Sequence, residues 1–248
     1  MKTLITSGCS FSYPAFFSEH VITWTRHLHA LIPEYNAIYH GTGSQGNGLI
    51  SRRVIYEVTR QLNQGIDPDD ILVGIMWSGS DRHDIYNPEI AQHLKDQPRE
   101  NWVENPIGFV SGEENNWLIL SPSWQFKENV AYYRYIHDII GGTVLTMEHI
   151  LRTQWFLDQQ KIKYFMTTFT DEVLSPACVY HPECKYLYDQ IDFSNFLPVS
   201  SEHTWVHQSS LPFPDAGYNH PNNAQHKLFV DEIVYPWLVE QGYIRLNK

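Results

Sequence analysis

Two short tracts at opposite ends of the chain hold the residue types of acyl-transfer chemistry. Gly8-Cys9-Ser10-Phe11-Ser12 follows directly on the apolar run 2–7. Pro214-Asp215-Ala216-Gly217-Tyr218-Asn219-His220-Pro221 lies near the other end. A serine hydroxyl is a weak nucleophile until a neighbouring base takes its proton. His220 has the chemistry of that base, and Asp215, on a Gly/Pro-constrained loop, can orient the imidazole and stabilise its charged form. The N–H of Ser10 can itself donate to the oxyanion formed on attack. A plainer role competes, because Ser10 or Ser12 can simply cap a helix.

Two further polar tracts follow predicted strands. In Gly41-Thr42-Gly43-Ser44-Gln45-Gly46-Asn47-Gly48 a bare glycine N–H can approach a substrate oxygen; the tract also reads as a flexible strand–helix turn. It has neither the lysine of a P-loop nor dinucleotide-binding spacing. In Trp77-Ser78-Gly79-Ser80-Asp81-Arg82, Ser80 can donate a side-chain hydrogen bond, and Arg82 can bind an anionic group or pair with Asp81 or Asp84. Asn47, Trp77 and Arg82 are the candidate substrate contacts. Cys178 and Cys184 flank His181 in CVYHPEC, but a zinc site needs a fourth ligand and usually tighter pairs, so no metal is expected. His226 falls on the last predicted helix and reads as structural.

These residues need a scaffold that gathers strand ends. Residues 2–7 read as a first strand and 18–31 as a helix with Val21, Trp24, Leu28 and Leu31 on one stripe. Residues 35–39 read as a second strand, 48–64 as a second helix, and 70–77 as a near-continuous apolar strand of the kind covered on both faces. Residues 131–160 read as a long helix kinked at Gly141-Gly142, 162–168 as a fourth strand, 183–191 as a short helix, and 222–241 as a closing helix with Phe229, Ile233, Trp237 and Leu238 inward. The alternation predicts an α/β fold, three-layer and doubly wound, on a mainly parallel sheet. Residues 87–130, rich in Asn, Pro, Glu and Trp, break the rhythm and read as an irregular insertion over the rim of one domain spanning 1–248. Ligands gather outside the strand C-termini of such sheets.

Bulk composition narrows the function classes. Of 248 residues, 42% are apolar and 18% charged, the balance of a globular chain. The net charge of −11 argues against nucleic acid and anionic membranes as partners. No apolar run reaches the length of a transmembrane helix, and the N-terminal one is too short for a signal peptide, so a cytoplasmic location is expected. Three cysteines do not make a disulfide framework. Aromatic residues at 14% fill the core and insertion, or line a carbohydrate-like cleft.

Taken together, the four tracts resemble the SGNH (GDSL-like) hydrolase family, from residue 3 to about 240. The resemblance implies Ser10 as nucleophile, His220 as base, Asp215 as acid, and an oxyanion hole of the Ser10 N–H and the Gly46 N–H, with Gly43 the alternative, together with the third block's donor. It implies a flavodoxin-like three-layer sheet, a small-molecule or carbohydrate O-acyl ester as substrate, and no cofactor. Three departures stand out. Cys9 replaces the Asp beside the nucleophile. Ser80 stands where the family has Asn. Asp215 lies five residues before His220 instead of three, with Gly217 at the usual place, leaving a triad or a Ser–His dyad. The expected activity is that of an esterase or O-deacetylase. The alternatives are a fold retained for binding, and acyl transfer to a sugar on the same residues.

Overall fold

The computed structural model describes residues 2–13, 21–96, 107–108, 116–169, 174, 180–198 and 220–245. Four strands form one parallel sheet: β1 (Lys2–Ser7), β2 (Tyr35–Tyr39), β3 (Ile71–Trp77) and, far along the chain, a strand at Lys163–Thr168. Three antiparallel strands intervene in sequence: β4 (His83–Tyr86), β5 (Ile107–Gly108) and β6 (Trp117–Leu120), which makes the Lys163–Thr168 strand β7. The parallel order is β2-β1-β3-β7. Register runs Ile5↔Ile38 on one side of β1 and Ile5↔Val73 on the other. The chain therefore leaves β1 toward one edge and returns past it to β3, which puts a topological switch point, where such sheets open a crevice, above β1 and β3.

Side chains on a strand alternate between faces, and here the alternation sorts two cores. Ile5, Val73, Ile75, Trp77, Tyr164 and Met166 face helices α2 (Asn47–Asn63), α5 (Ile139–Gln159) and α6 (Pro182–Tyr188). Leu4, Leu72, Met76 and Phe165 face α1 (Trp24–Leu31) and the closing helices α7 (Asn223–Phe229) and α8 (Tyr235–Glu240). Parallel strands covered on both sides read as continuous apolar runs, and every residue of β3 is buried. The sheet with helices on both faces is the expected α/β layering.

Three expectations need correction. The insertion is not irregular. It opens at β4, before residue 87, and forms an antiparallel sheet in the order β4-β6-β5. Helix α3 (Pro88–Lys95) packs Ala91 and Leu94 onto Leu118 and Leu120, a small separate core. The long helix breaks at residues 136–138, not at Gly141-Gly142, and splits into α4 (Lys127–Tyr135) and α5. Asp138 sets the break: its carboxylate accepts from the N–H groups of Ile140 and Gly141 and so starts a new helix. The closing helix passes through a π-helical stretch at Val230–Val234. Pro236 explains it, since proline removes the N–H that a regular i→i−4 bond would use.

Candidate functional site

The turn after β1 is built on an absent side chain. A Cβ on Gly8 would lie 2.3 Å from Ser12 Oγ and 2.9 Å from the Met76 carbonyl oxygen, so only glycine fits between β1, β3 and the turn that follows. The chain then closes a 3-10 turn at Ser10–Ser12, with the Ser12 N–H donating to the Cys9 carbonyl at 2.9 Å. Cys9 is fully buried in the core, and Ser12 Oγ accepts from the Trp24 indole N–H at 2.9 Å. With its neighbours anchored inward, Ser10 faces His220: Ser10 Oγ lies 2.7 Å from His220 Nε2. Ser10 itself is 5% exposed.

His220 is held by a separate set of contacts. His220 stands just ahead of α7, whose start is fixed by a reciprocal capping box. Asn222 Oδ1 accepts from the Gln225 N–H, and Gln225 Oε1 accepts from the Asn222 N–H. Helix α7 docks on α1 through His226 Nδ1, which accepts the Trp24 backbone N–H at 3.1 Å. An acceptor Nδ1 carries no proton, so the neutral ring is protonated at Nε2. Burial holds the His226 pKa down at about 3, with His27 and His220 adding to the effect. Trp24 thus ties Ser12 with its indole and His226 with its backbone. The Phe11 ring meets the His220 ring edge-on, centroids 5.0 Å apart, and fixes its plane.

The rim loop after β2 is pinned beside the turn that carries Ser10. The Thr42 N–H donates to the Gly8 carbonyl at 3.2 Å. A Cβ on Gly41 would lie 2.4 Å from the Ser12 backbone, so this glycine also marks a close approach. Buried Arg53 donates from Nη1 to the His40 carbonyl, Thr42 Oγ1 and Gln45 Oε1, supporting the loop from below.

The Gly46 N–H is engaged away from Ser10. It donates to Asp84 Oδ1 at 3.1 Å, while Asp84 Oδ2 takes the Leu49 N–H at 2.6 Å. Asp84, arriving from β4, is therefore the N-terminal cap of α2. Burial pushes its pKa up to about 6, against the pull of these two N–H groups and of Arg52, 4.0 Å away. Nothing in the sequence near Gly46 announced this cap, because its residue lies on β4, far along the chain.

Two other assignments are also corrected. Asn47 is buried and clamps Ser78 from both sides: its Nδ2 donates to the Ser78 carbonyl at 2.9 Å and its Oδ1 accepts the Ser78 N–H at 2.7 Å. It joins two rim loops and is not positioned to read a substrate. Trp77 is fully buried, its indole N–H directed at Met166 Sδ, because β3 is covered on both faces. Ser80 is 6% exposed, and its carbonyl sits against α5, where a Cβ on Gly142 would lie 2.3 Å from it. Among the described residues its hydroxyl touches neither Ser10 nor His220. Asp215 and Gly217 lie outside the described residues, as does Cys178.

Arg82 is on the rim. Its Nη1 donates to Ser78 Oγ at 3.1 Å, and its guanidinium lies 5.1 Å from the Phe169 ring centre. A small cavity of about 20 Å³ opens behind it, lined by Asn47, Gly48, Arg82, Asp84, Thr146 and His149, enough for one water. Burial depresses His149 to about 3 and His83 to about 4, so both are neutral at pH 7. Among the described residues no cluster of His, Cys, Asp or Glu has metal-binding geometry, and no helix is long and apolar enough to cross a membrane.

Compared with family models, curated proteins and solved structures, the chain finds no match. The chemistry therefore rests on the geometry. An imidazole nitrogen 2.7 Å from a serine hydroxyl at the switch point of a parallel sheet lies within proton-transfer distance.

Proposed function

We propose that this protein is a serine hydrolase of SGNH type that cleaves an ester, a small-molecule or carbohydrate O-acyl ester, through an acyl-enzyme. The observation that carries the reading is the 2.7 Å approach of Ser10 Oγ to His220 Nε2. The strand order β2-β1-β3-β7, with Ser10 directly after β1, supports the reading, being compatible with a flavodoxin-like sheet. His220 takes the hydroxyl proton as Ser10 Oγ bonds to the carbonyl carbon. The imidazolium returns that proton to the leaving alcohol as the C–O bond breaks. A water, deprotonated by His220, then cleaves the acyl-serine and frees the acid.

The Ser10 N–H is one oxyanion donor in this scheme. With the Gly46 N–H engaged by Asp84, we assign the second donor to Gly43, which follows Thr42 on the stretch bonded to Gly8. Asp215 is proposed to orient His220. A fluorophosphonate probe tests the reading: Ser10 is labelled in the wild-type protein, and Ser10→Ala loses both labelling and turnover of a short acyl ester while keeping its fold. A folded wild-type protein that neither reacts nor hydrolyses is a binding module. The engaged Gly46 N–H is the observation that favours that second reading. Transfer of the acyl group to a sugar would show as turnover only with an acceptor alcohol present.

A further inference from the structure

The acyl chemistry leaves one rim cation unused. The sequence offers Arg82 two acidic partners, and the structure gives it neither. Asp84 spends both oxygens on the Gly46 and Leu49 N–H groups. The Asp81 carboxylate folds over Gly79, where an added Cβ would lie 2.2 Å from its Oδ1. Among the described residues Arg82 has no carboxylate partner. It is nonetheless held in place, by the Ser78 hydroxyl at one end and the Phe169 face beneath it. A guanidinium carries five N–H donors, and the Ser78 bond uses one.

A continuous chain of contacts connects this cation to the base. Phe169 meets Phe11 edge-on at 5.5 Å, and Phe11 meets His220 at 5.0 Å. Arg82 follows β3 and Ser10 follows β1, and the two strands are hydrogen-bonded neighbours. Arg82, Phe169 and Phe11 therefore make a wall, apolar toward His220 and cationic at its outer end. A chain with a net charge of −11 repels anions at long range, so a pre-placed guanidinium at the crevice is a specific exception.

Resting on the hydrolase reading above, we propose that Arg82 is a specificity residue and that the substrate is an ester bearing a carboxylate on its acyl part. The aromatic wall takes the acyl methylenes, and the guanidinium takes the carboxylate through two parallel N–H···O bonds.

The test compares p-nitrophenyl hemisuccinate with p-nitrophenyl butyrate, equal in acyl length and differing in the terminal charge. The wild type should favour the hemisuccinate in kcat/KM by about tenfold or more, as expected for a charge-assisted hydrogen bond. Arg82→Gln should lower the hemisuccinate value about 10- to 100-fold, and the butyrate value far less. Arg82→Lys should fall between, since it keeps the charge and loses the fork. A readout separate from turnover is protection of Ser10: succinate should slow fluorophosphonate labelling of the wild type and not of Arg82→Gln. A wild type without charge preference, or equal losses on both esters in Arg82→Gln, overturns the assignment while the hydrolase reading stands. Absence of labelling at Ser10 overturns both.

Discussion

At the scale of single residues, close approach decides more than side-chain chemistry. Gly141 and Gly142 are adjacent in α5 and have opposite surroundings. A Cβ on Gly141 meets nothing within 4 Å; one on Gly142 would lie 2.3 Å from the Ser80 backbone oxygen. Gly141→Ala should stabilise the protein by about 0.5–1 kcal/mol through helix propensity alone. Gly142→Ala should destabilise it by about 1–3 kcal/mol, the usual cost of overpacking, because a backbone oxygen cannot rotate away. Urea midpoints of the two variants measure the contrast. Equal shifts would mean that α5 does not press on the Ser80 loop.

At the scale of elements, the caps hold the rim together. Asp84 begins α2 from another part of the chain, so it links the insertion to the loop beside Ser10. Asp84→Ala strands two buried N–H groups and should cost about 1–3 kcal/mol. Asp84→Asn keeps an acceptor and should cost less, with a dependence on pH that can be signed. The folded pKa of Asp84, about 6, lies above its unfolded value of 3.8. Its contribution is full below pH 3.8 and is lost as pH rises through about 6. Asp84→Asn should therefore gain on the wild type as pH rises from about 4 to 6, by on the order of 2–3 kcal/mol. A difference that stays flat across that window would show that the carboxyl does not titrate there.

At the scale of the whole molecule, buried histidines set the acid limit. His226, His149 and His83 have folded pKa values near 3, 3 and 4, well below the 6.5 of the unfolded chain, chiefly through burial. A depressed pKa means that the unfolded state binds protons that the folded state refuses. The stability these groups contribute is present above pH 6.5 and is lost as pH falls toward 4. Glu57 follows below pH 4.5. Burial alone would raise its pKa, but hydrogen bonds from His40, Arg60 and Gln61 hold it at about 2. Three histidines outweigh the opposing Asp84, so the urea midpoint should fall as pH drops from 7 to 4.5. His226→Asn, which keeps an acceptor near the Nδ1 position, should show a shallower fall. A midpoint that does not change over this range would contradict the burial of these rings.

The sequence by itself determined the elements of the parallel sheet and the chemical types, while the small antiparallel sheet of the insertion was not legible in it. Strands at 2–7 and 35–39 appear where the apolar runs place them, and Gly8-Ser10 and His220 stand at strand and helix ends. Those signals are local: periodicity, turn residues and caps act between neighbours in the chain. The split between α4 and α5 is also local, written in Asp138, whose carboxylate caps the new helix ahead of the two glycines. Only the tertiary structure decided partners. It brought Ser10 within 2.7 Å of His220, gave the Gly46 N–H to Asp84, turned Asn47 into a clamp on Ser78, and sank Trp77 into the core. Each of these is a competition among hydrogen-bond and packing partners far apart in sequence. Burial settles it, because a polar group removed from water takes whichever partner the fold brings within reach.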